Sequence, residues 1–263
     1  MNNLLCFFTA AIVFFSGCSS SDDLDISIPD QQKQIVIEGY LTPNFPMELT
    51  LIENNLLSDE LTLISLWDAN VTITVGDSVY QLKNLFYRKK DRQVFVNYRH
   101  DDTLRVGSNV PVYLKIISEN NDTLSAQTQT LNKIDMVSCK MEEKKIQIQF
   151  SGDINQDPYF RVNVSGFASD TIISSKSVYL NYKNKDSKVI EIQCPTELLN
   201  SDSLQVSLFH IHEEYYNYMQ SVNHATSAYY DPFTIPEGIK SNIVGGIGIF
   251  TFYTIDKKTI YNK

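Results

Sequence analysis

From residue 34 onward the chain is written in short apolar stretches, most of them alternating with polar residues, and this period of two constrains it to strands. Alternation places one side of each stretch in a core and the other in water, whereas a helix would need apolar residues three and four apart. The candidate strands are 34–41, 47–53, 70–75, 78–82, 93–98, 110–118 and 123–130, then, after a polar break at Leu131-Asn132-Lys133, 135–141, 145–151, 159–165, 171–178, 189–193, 204–210 and 243–253. Many short strands at this spacing predict a mostly β fold of sandwiches or barrels rather than a parallel sheet with crossover helices. The break at 131–133 predicts two domains, 34–131 and 132–263. With 15 Tyr and 14 Phe there is apolar bulk for one large core or two smaller ones.

One stretch is helical instead. Glu213-Glu214-Tyr215-Tyr216-Asn217-Tyr218-Met219-Gln220-Ser221-Val222-Asn223 puts Tyr215, Tyr218, Met219 and Val222 on one face, with two glutamates in the first turn where the helix dipole favours them. This predicts a helix near 212–226 in the second domain. Tyr229-Tyr230-Asp231-Pro232-Phe233 ends it. Most of the helix tyrosines are expected in the core, leaving Tyr229, Tyr230 and Phe233 as the expected partner contact, because tyrosine joins an apolar body to a polar tip.

The first residues have a different character. Residues 4–15 are apolar except for Thr9, a length suited to a signal peptide and too short to span a bilayer. Ser16-Gly17-Cys18 closes the run as in a bacterial lipobox, with Phe15 where leucine is usual and no preceding Lys or Arg. The reading is a signal peptide over 1–17, a lipid on Cys18 and an acidic tether over 18–33; two or three acyl chains would anchor the protein stably, where one would not. Ser21-Asp22-Asp23 resembles the acidic surface-export signal of Bacteroidota lipoproteins; a solvated acidic linker is the alternative. The expectation is an outer-membrane protein facing outward, bound to the membrane through its lipid.

Few residues offer chemistry. The net charge of −9 argues against nucleic acid. His210 and His212, followed by Glu213 and Glu214, are weak metal candidates without a third fixed ligand, and His100 beside Asp101-Asp102 reads as an exposed loop. No Gly-x-Ser-x-Gly elbow, phosphate-cradling glycine loop or His-Glu-x-x-His is present. The sequence selects no enzyme and implies no cofactor. Gly245-Gly246-Ile247-Gly248 reads as a bend in a packed strand. Cys139 and Cys194 either pair, closing a loop of about 55 residues worth about 4 kcal/mol in the chain-entropy picture, or stay free in separate strands. Strand starts share a local pattern, Asp-Ser/Thr-aliphatic, at Ser78, Thr103, Thr123, Thr171 and Ser203. Turn chemistry suffices to explain it, and the tripeptide also resembles an O-glycosylation acceptor of exported Bacteroidota proteins.

In order and spacing, several motifs resemble the Bacteroidota lipoprotein family called domain of unknown function 4249 (DUF4249). They are the lipoprotein start, Gln34-Ile35-Val36-Ile37-Glu38-Gly39-Tyr40-Leu41, Asn70-Val71-Thr72-Ile73-Thr74-Val75 and Glu214-Tyr215-Tyr216-Asn217-Tyr218. The most specific is the ending, Asp231-Pro232-Phe233, Ile235-Pro236 and Ser241-Asn242-Ile243-Val244-Gly245-Gly246-Ile247-Gly248-Ile249-Phe250. The single proline of the Asp231-Pro232-Phe233 ending and the insertion-like stretch 56–67 depart from the pattern. The resemblance implies an N-terminal immunoglobulin- or transthyretin-like sandwich, a second β-rich domain with one helix, and association with a TonB-dependent outer-membrane barrel. It supplies no catalytic residues. Together these readings favour a non-enzymatic binding protein that helps such a transporter capture a nutrient not identifiable from sequence. An adhesive module for host or matrix proteins is the alternative, and a hydrolase comes third.

Overall fold

Two strands longer than the rest decide how the sheets join. The computed structural model describes residues 33–54, 64–89, 94–155, 157–185, 187–231, 233–235 and 237–261, and Lys33–Lys263 cluster as one unit. β1 (Ile35–Leu41) pairs antiparallel with β2 (Pro46–Glu53), which also holds the two-residue β3 (Ile64–Ser65). β4 (Asn70–Val75) leads into the long β5 (Ser78–Lys89), followed by β6 (Val94–Thr103), β7 (Pro111–Ile117) and β8 (Thr123–Gln129). Residues 78–82 of β5 pair with β4, and from Lys83 on the strand pairs with β6, with an irregularity between Asn84 and Tyr87. β5 therefore passes from one layer to the other, and the apolar faces of β1 and β2 meet those of β4, β7 and β8. Ile37, Leu49, Ile73, Leu114 and Ile116 are almost wholly buried in this first core.

The second half repeats the device. β9 (Asp135–Glu142), β10 (Lys145–Ser151) and β13 (Val189–Gln193) form a three-stranded sheet with β10 in the middle. β11 (Tyr159–Ala168), β12 (Thr171–Asn181), β14 (Ser203–Ile211) and the end of β15 (Ile247–Tyr261) form the facing layer. Phe150, Phe160, Val162, Ile148 and Val206 fill the space between. β15 is the second long strand: residues 247–252 pair in parallel with β1, and residues 253–261 pair antiparallel with β14. Its Phe250 and Phe252 belong to the first core, while Ile260 packs on the second. The expected boundary at 131/132 falls between Leu131, in the first core, and Ile134, in the second, yet β15 serves both. Among the described residues the fold is mostly β with one α-helix, α1 (Glu213–Tyr230).

Gly248 makes the parallel junction possible. Its φ is +125°, and a Cβ there would lie 2.0 Å from the carbonyl oxygen of Ile37, so only glycine lets β15 approach β1 this closely. The strand starts at Ile247 rather than at residue 243, because residues 242–246 lead into it. The Asn242 side chain accepts from the Phe250 N–H (2.9 Å) and donates to the Phe250 carbonyl (2.7 Å), standing in for a strand neighbour. Asn97 treats Leu51 in the same way, at 2.8 and 2.7 Å.

Two local expectations are corrected. His100 lies within β6, its ring 5.3 Å from Tyr80 in an edge arrangement, instead of in a loop. Asp102-Thr103-Leu104 ends a strand instead of starting one. The β9–β10 hairpin turns on Glu143 and Lys144 at φ +46° and +68°, a two-residue geometry that asparagine and glycine adopt with least strain. Glu143→Asn with Lys144→Gly should raise stability by about 1 kcal/mol, seen as a higher midpoint in urea unfolding; an unchanged or lower midpoint would show that the turn carries no such strain.

Candidate interaction surface

Helix α1 lies over β15, β11 and β12, and its first turns reach the side chains of β1 in reverse order. The Tyr215 ring lies 5.4 Å from that of Tyr40, and one turn later the Tyr218 hydroxyl donates to Glu38 (3.1 Å). Tyr215 and Tyr218 are buried, with Met219 and Val222 partly covered. Arg161, on β11, holds the helix from the sheet side: its guanidinium donates to the Tyr215 hydroxyl (3.1 Å) and sits 4.9 Å from the Phe209 ring centre. Beyond Val222 the helix leaves this support. Tyr229 and Tyr230 are 83% and 78% exposed, and Phe233 and Ile235 beyond them 93% and 80%.

The loop that displays them is held by Asp231. One of its carboxylate oxygens accepts from the Phe233 N–H (3.0 Å), the other from the Thr234 hydroxyl (3.0 Å), and its carbonyl accepts from the Thr234 N–H (3.0 Å). Such an Asx turn fixes the backbone without covering the apolar side chains. The chain then returns to the helix, where the Lys240 N–H donates to Ser221 Oγ (2.9 Å).

A second exposed apolar patch lies where β5 shifts register. Trp67, Leu85 and Phe86 are 45%, 50% and 53% exposed, the Trp67 and Phe86 rings meet edge-on at 5.7 Å, and Phe86 lies 5.9 Å from Phe95. Asn84 ties the cluster together by donating to the Trp67 carbonyl. Sequence reading missed this patch. Its trace is the adjacent pair Leu85-Phe86, which breaks the alternation of β5.

His210 and His212 are buried at the seam between the two cores, and all four ring nitrogens face oxygen atoms. His212 Nδ1 faces Asp157 Oδ2 at 3.2 Å and Nε2 faces the Gln129 carbonyl at 2.7 Å. Both partners accept, so the ring must donate twice, as an imidazolium. Burial alone would push its pKa down, but the hydrogen bond and charge of Asp157 outweigh burial and hold it above the ordinary histidine value. Asp157, conversely, keeps its carboxyl below the usual range despite burial, through His212. His210 faces the carbonyls of Asn132 (3.0 Å) and Asp157 (2.7 Å), and burial pushes its pKa down. A neutral ring donates once; the Asn132 carbonyl also accepts from the Thr254 hydroxyl (3.2 Å). Among the described residues no group of three His, Cys, Asp or Glu converges as a metal site would require.

The remaining expected residues are dispersed. Cys18, Ser21, Asp22 and Asp23 lie outside the described residues. Cys139 and Cys194 are free thiols, which corrects the pairing reading. Cys139 is on β9, Cys194 follows β13, and β10 runs between. Two strand spacings amount to about 10 Å, past the reach of about 7 Å for a disulfide. Burial pushes the Cys139 thiol up to about 11. Ser78, Thr123 and Thr171 are exposed beside turns, while Thr103 and Ser203 are half-buried.

The sequence profile described as "Domain of unknown function (DUF4249)" matches residues 21–259. The chain belongs to this family. Among curated proteins none matches this DUF4249 chain. Among solved structures, the crystal structure of the chicken CNTN1 FN1–FN3 domains aligns at 10% identity and a TM-score of 0.27, over 70% of this chain and 62% of that one.

The seam yields a prediction for the DUF4249 body. The His212–Asp157 side chains are only 5% and 12% exposed, so Asp157→Asn, which strands the imidazolium, should cost about 3 kcal/mol in urea unfolding. Because the folded pKa of His212 is raised, its contribution is complete below about pH 6.5 and fades as pH rises through the folded value. His210 acts in the opposite sense, losing its contribution as pH drops below about 6.5. The stability gap between the parent protein and His212→Gln should therefore narrow from pH 6 to pH 9. A gap independent of pH would mean that His212 is not charged.

Proposed function

We propose that this is a lipid-anchored, non-enzymatic outer-membrane protein, carried on Cys18 and facing the cell exterior, that assists a TonB-dependent transporter in nutrient capture. The observation that carries the partner is the exposed patch of Trp67, Leu85 and Phe86, in which the Phe86 ring meets both Trp67 and Phe95. Aromatic side chains already ordered in the free protein lose little entropy on association and tend to dominate protein interfaces. The lipobox-like start and the acidic Ser21-Asp22-Asp23 support the address. Lipidation by two or more acyl chains would keep the protein permanently at the membrane that holds the barrel.

A mild-detergent pull-down of the tagged protein from its own outer membrane, followed by mass spectrometry, tests the partner. A barrel recovered in stoichiometric amount, and reduced about ten-fold by Trp67→Ala with Phe86→Ala, is the expected result. A lipoprotein that arrives without a barrel would move the reading to an adhesive module for host or matrix proteins. The address has its own test: Asp22→Ala with Asp23→Ala should abolish surface labelling of intact cells while the protein stays in the membrane fraction. Unchanged labelling would refute the export role of the two aspartates.

A further inference from the structure

The exposed loop after α1 lies at the end of the body where the tether enters. Tyr215 meets Tyr40 and, one turn later, Tyr218 meets Glu38, so α1 and β1 advance in opposite directions. From Tyr218 to Tyr230 the helix advances about 18 Å. From Glu38 back to Lys33 the extended chain covers about 17 Å in the same direction. Tyr230 and Lys33 thus lie toward the same end of the body, the end at which β1 begins. The opposite end of β1 carries the turn at Asn44 and Phe45, which is tied to Leu104.

Resting on the lipid-anchor reading above, we propose that Tyr229, Tyr230, Phe233 and Ile235 form a lipid-binding tip that enters the interfacial layer of the membrane holding the Cys18 lipid. Residues 19–32 reach at most about 50 Å when fully extended, so the acylated cysteine keeps the body's tether end within that distance of the membrane. The side chains at this end suit it. Tyrosine rings favour the headgroup level, where the phenol stays hydrated, while Phe and Ile favour the acyl boundary beneath. All four project from the end of a helix instead of lying flat in a sheet face, so they can be immersed without burying unpaired strand edges. The loop's carboxylate does not oppose entry as a free acceptor would, because both Asp231 oxygens are occupied within the turn. Glu237 and Lys240, the ionisable side chains that follow, bring one charge of each sign. The tip would orient the body on its lipid, with the turn at Phe45 pointing away from the bilayer.

The test labels Phe233→Cys with the environment-sensitive fluorophore NBD, with Phe45→Cys as the far-end control. Both parent side chains are exposed, at 93% and 58%; the half-buried Cys139 is replaced by serine in both labelled proteins, and Cys194 is buried. The mature chain, with a hexahistidine tag in place of Cys18, is held on phosphatidylcholine–phosphatidylglycerol vesicles through nickel-chelating lipid. The outcome then does not depend on acylation, which is read separately by mass spectrometry of Cys18 in the native protein. The expected result is a blue-shifted emission at 233 with roughly three-fold stronger quenching by nitroxide lipids than at 45. Ile235→Asp introduced beside the label should remove that difference while vesicle binding persists. Equal, water-like emission at both positions overturns the proposal. So does a label that is aqueous on pure lipid and shielded only in native outer-membrane vesicles, since that outcome assigns the tip to a protein.

Discussion

The parallel contact between β1 and the first half of β15 is the constraint on which the rest depends. Here the start and the end of the body meet, through backbone groups that only Gly248 allows to come so close. Through it, the layer of β1, β2 and β6 continues into that of β14, β11 and β12. The same stretch of β15 sends Phe250 and Phe252 into the first core, while its Ile249 and Tyr253 fill the space under α1. The two cores and the helix are therefore not separable additions to one another. Their common member is a strand of 15 residues that changes partners half-way.

The buried histidines secure the same junction from the connecting segment. Gln129 and Asn132 end one core and lead into the next, and their carbonyls are fixed by His212, His210 and Thr254. A paired charge in so closed a place is a weak source of stability on balance, since desolvation offsets much of the attraction. What it does supply is direction. The ring at 212 must donate on both sides, and only one arrangement of strand, linker and helix start offers it two acceptors.

Much of this was legible in the alternation of the sequence, and the failures have a common cause. Strands that bury one face throughout, such as 70–75, 145–151 and 189–193, are found with the bounds that alternation predicts. The strands misjudged are those that change environment along their length. In β5 the pattern stops at Leu85-Phe86, just after the strand leaves β4 for β6, and β15 runs on through Lys257, which faces water, and Lys258, whose ammonium donates to the Val137 carbonyl. The helix face of Tyr215 and Tyr218 could be read because it follows a single period. Side chains acting at a distance could not: Asp157 lies far along the chain from His212, Arg161 from Tyr215, and Asn97 from Leu51, and nothing local marks any of them.

If the body is held by its N-terminus, as proposed, the pairing of first strand with last has a mechanical meaning. A pull transmitted through Lys33 runs along β1, whose hydrogen bonds to β2 on one side and β15 on the other stand across the line of force. Such bonds share the load and must break together, whereas those of a frayed hairpin open in succession, each under the full force. A tethered body built this way resists flow and tugging at its point of attachment, and the strand that bears the load is clamped on both edges.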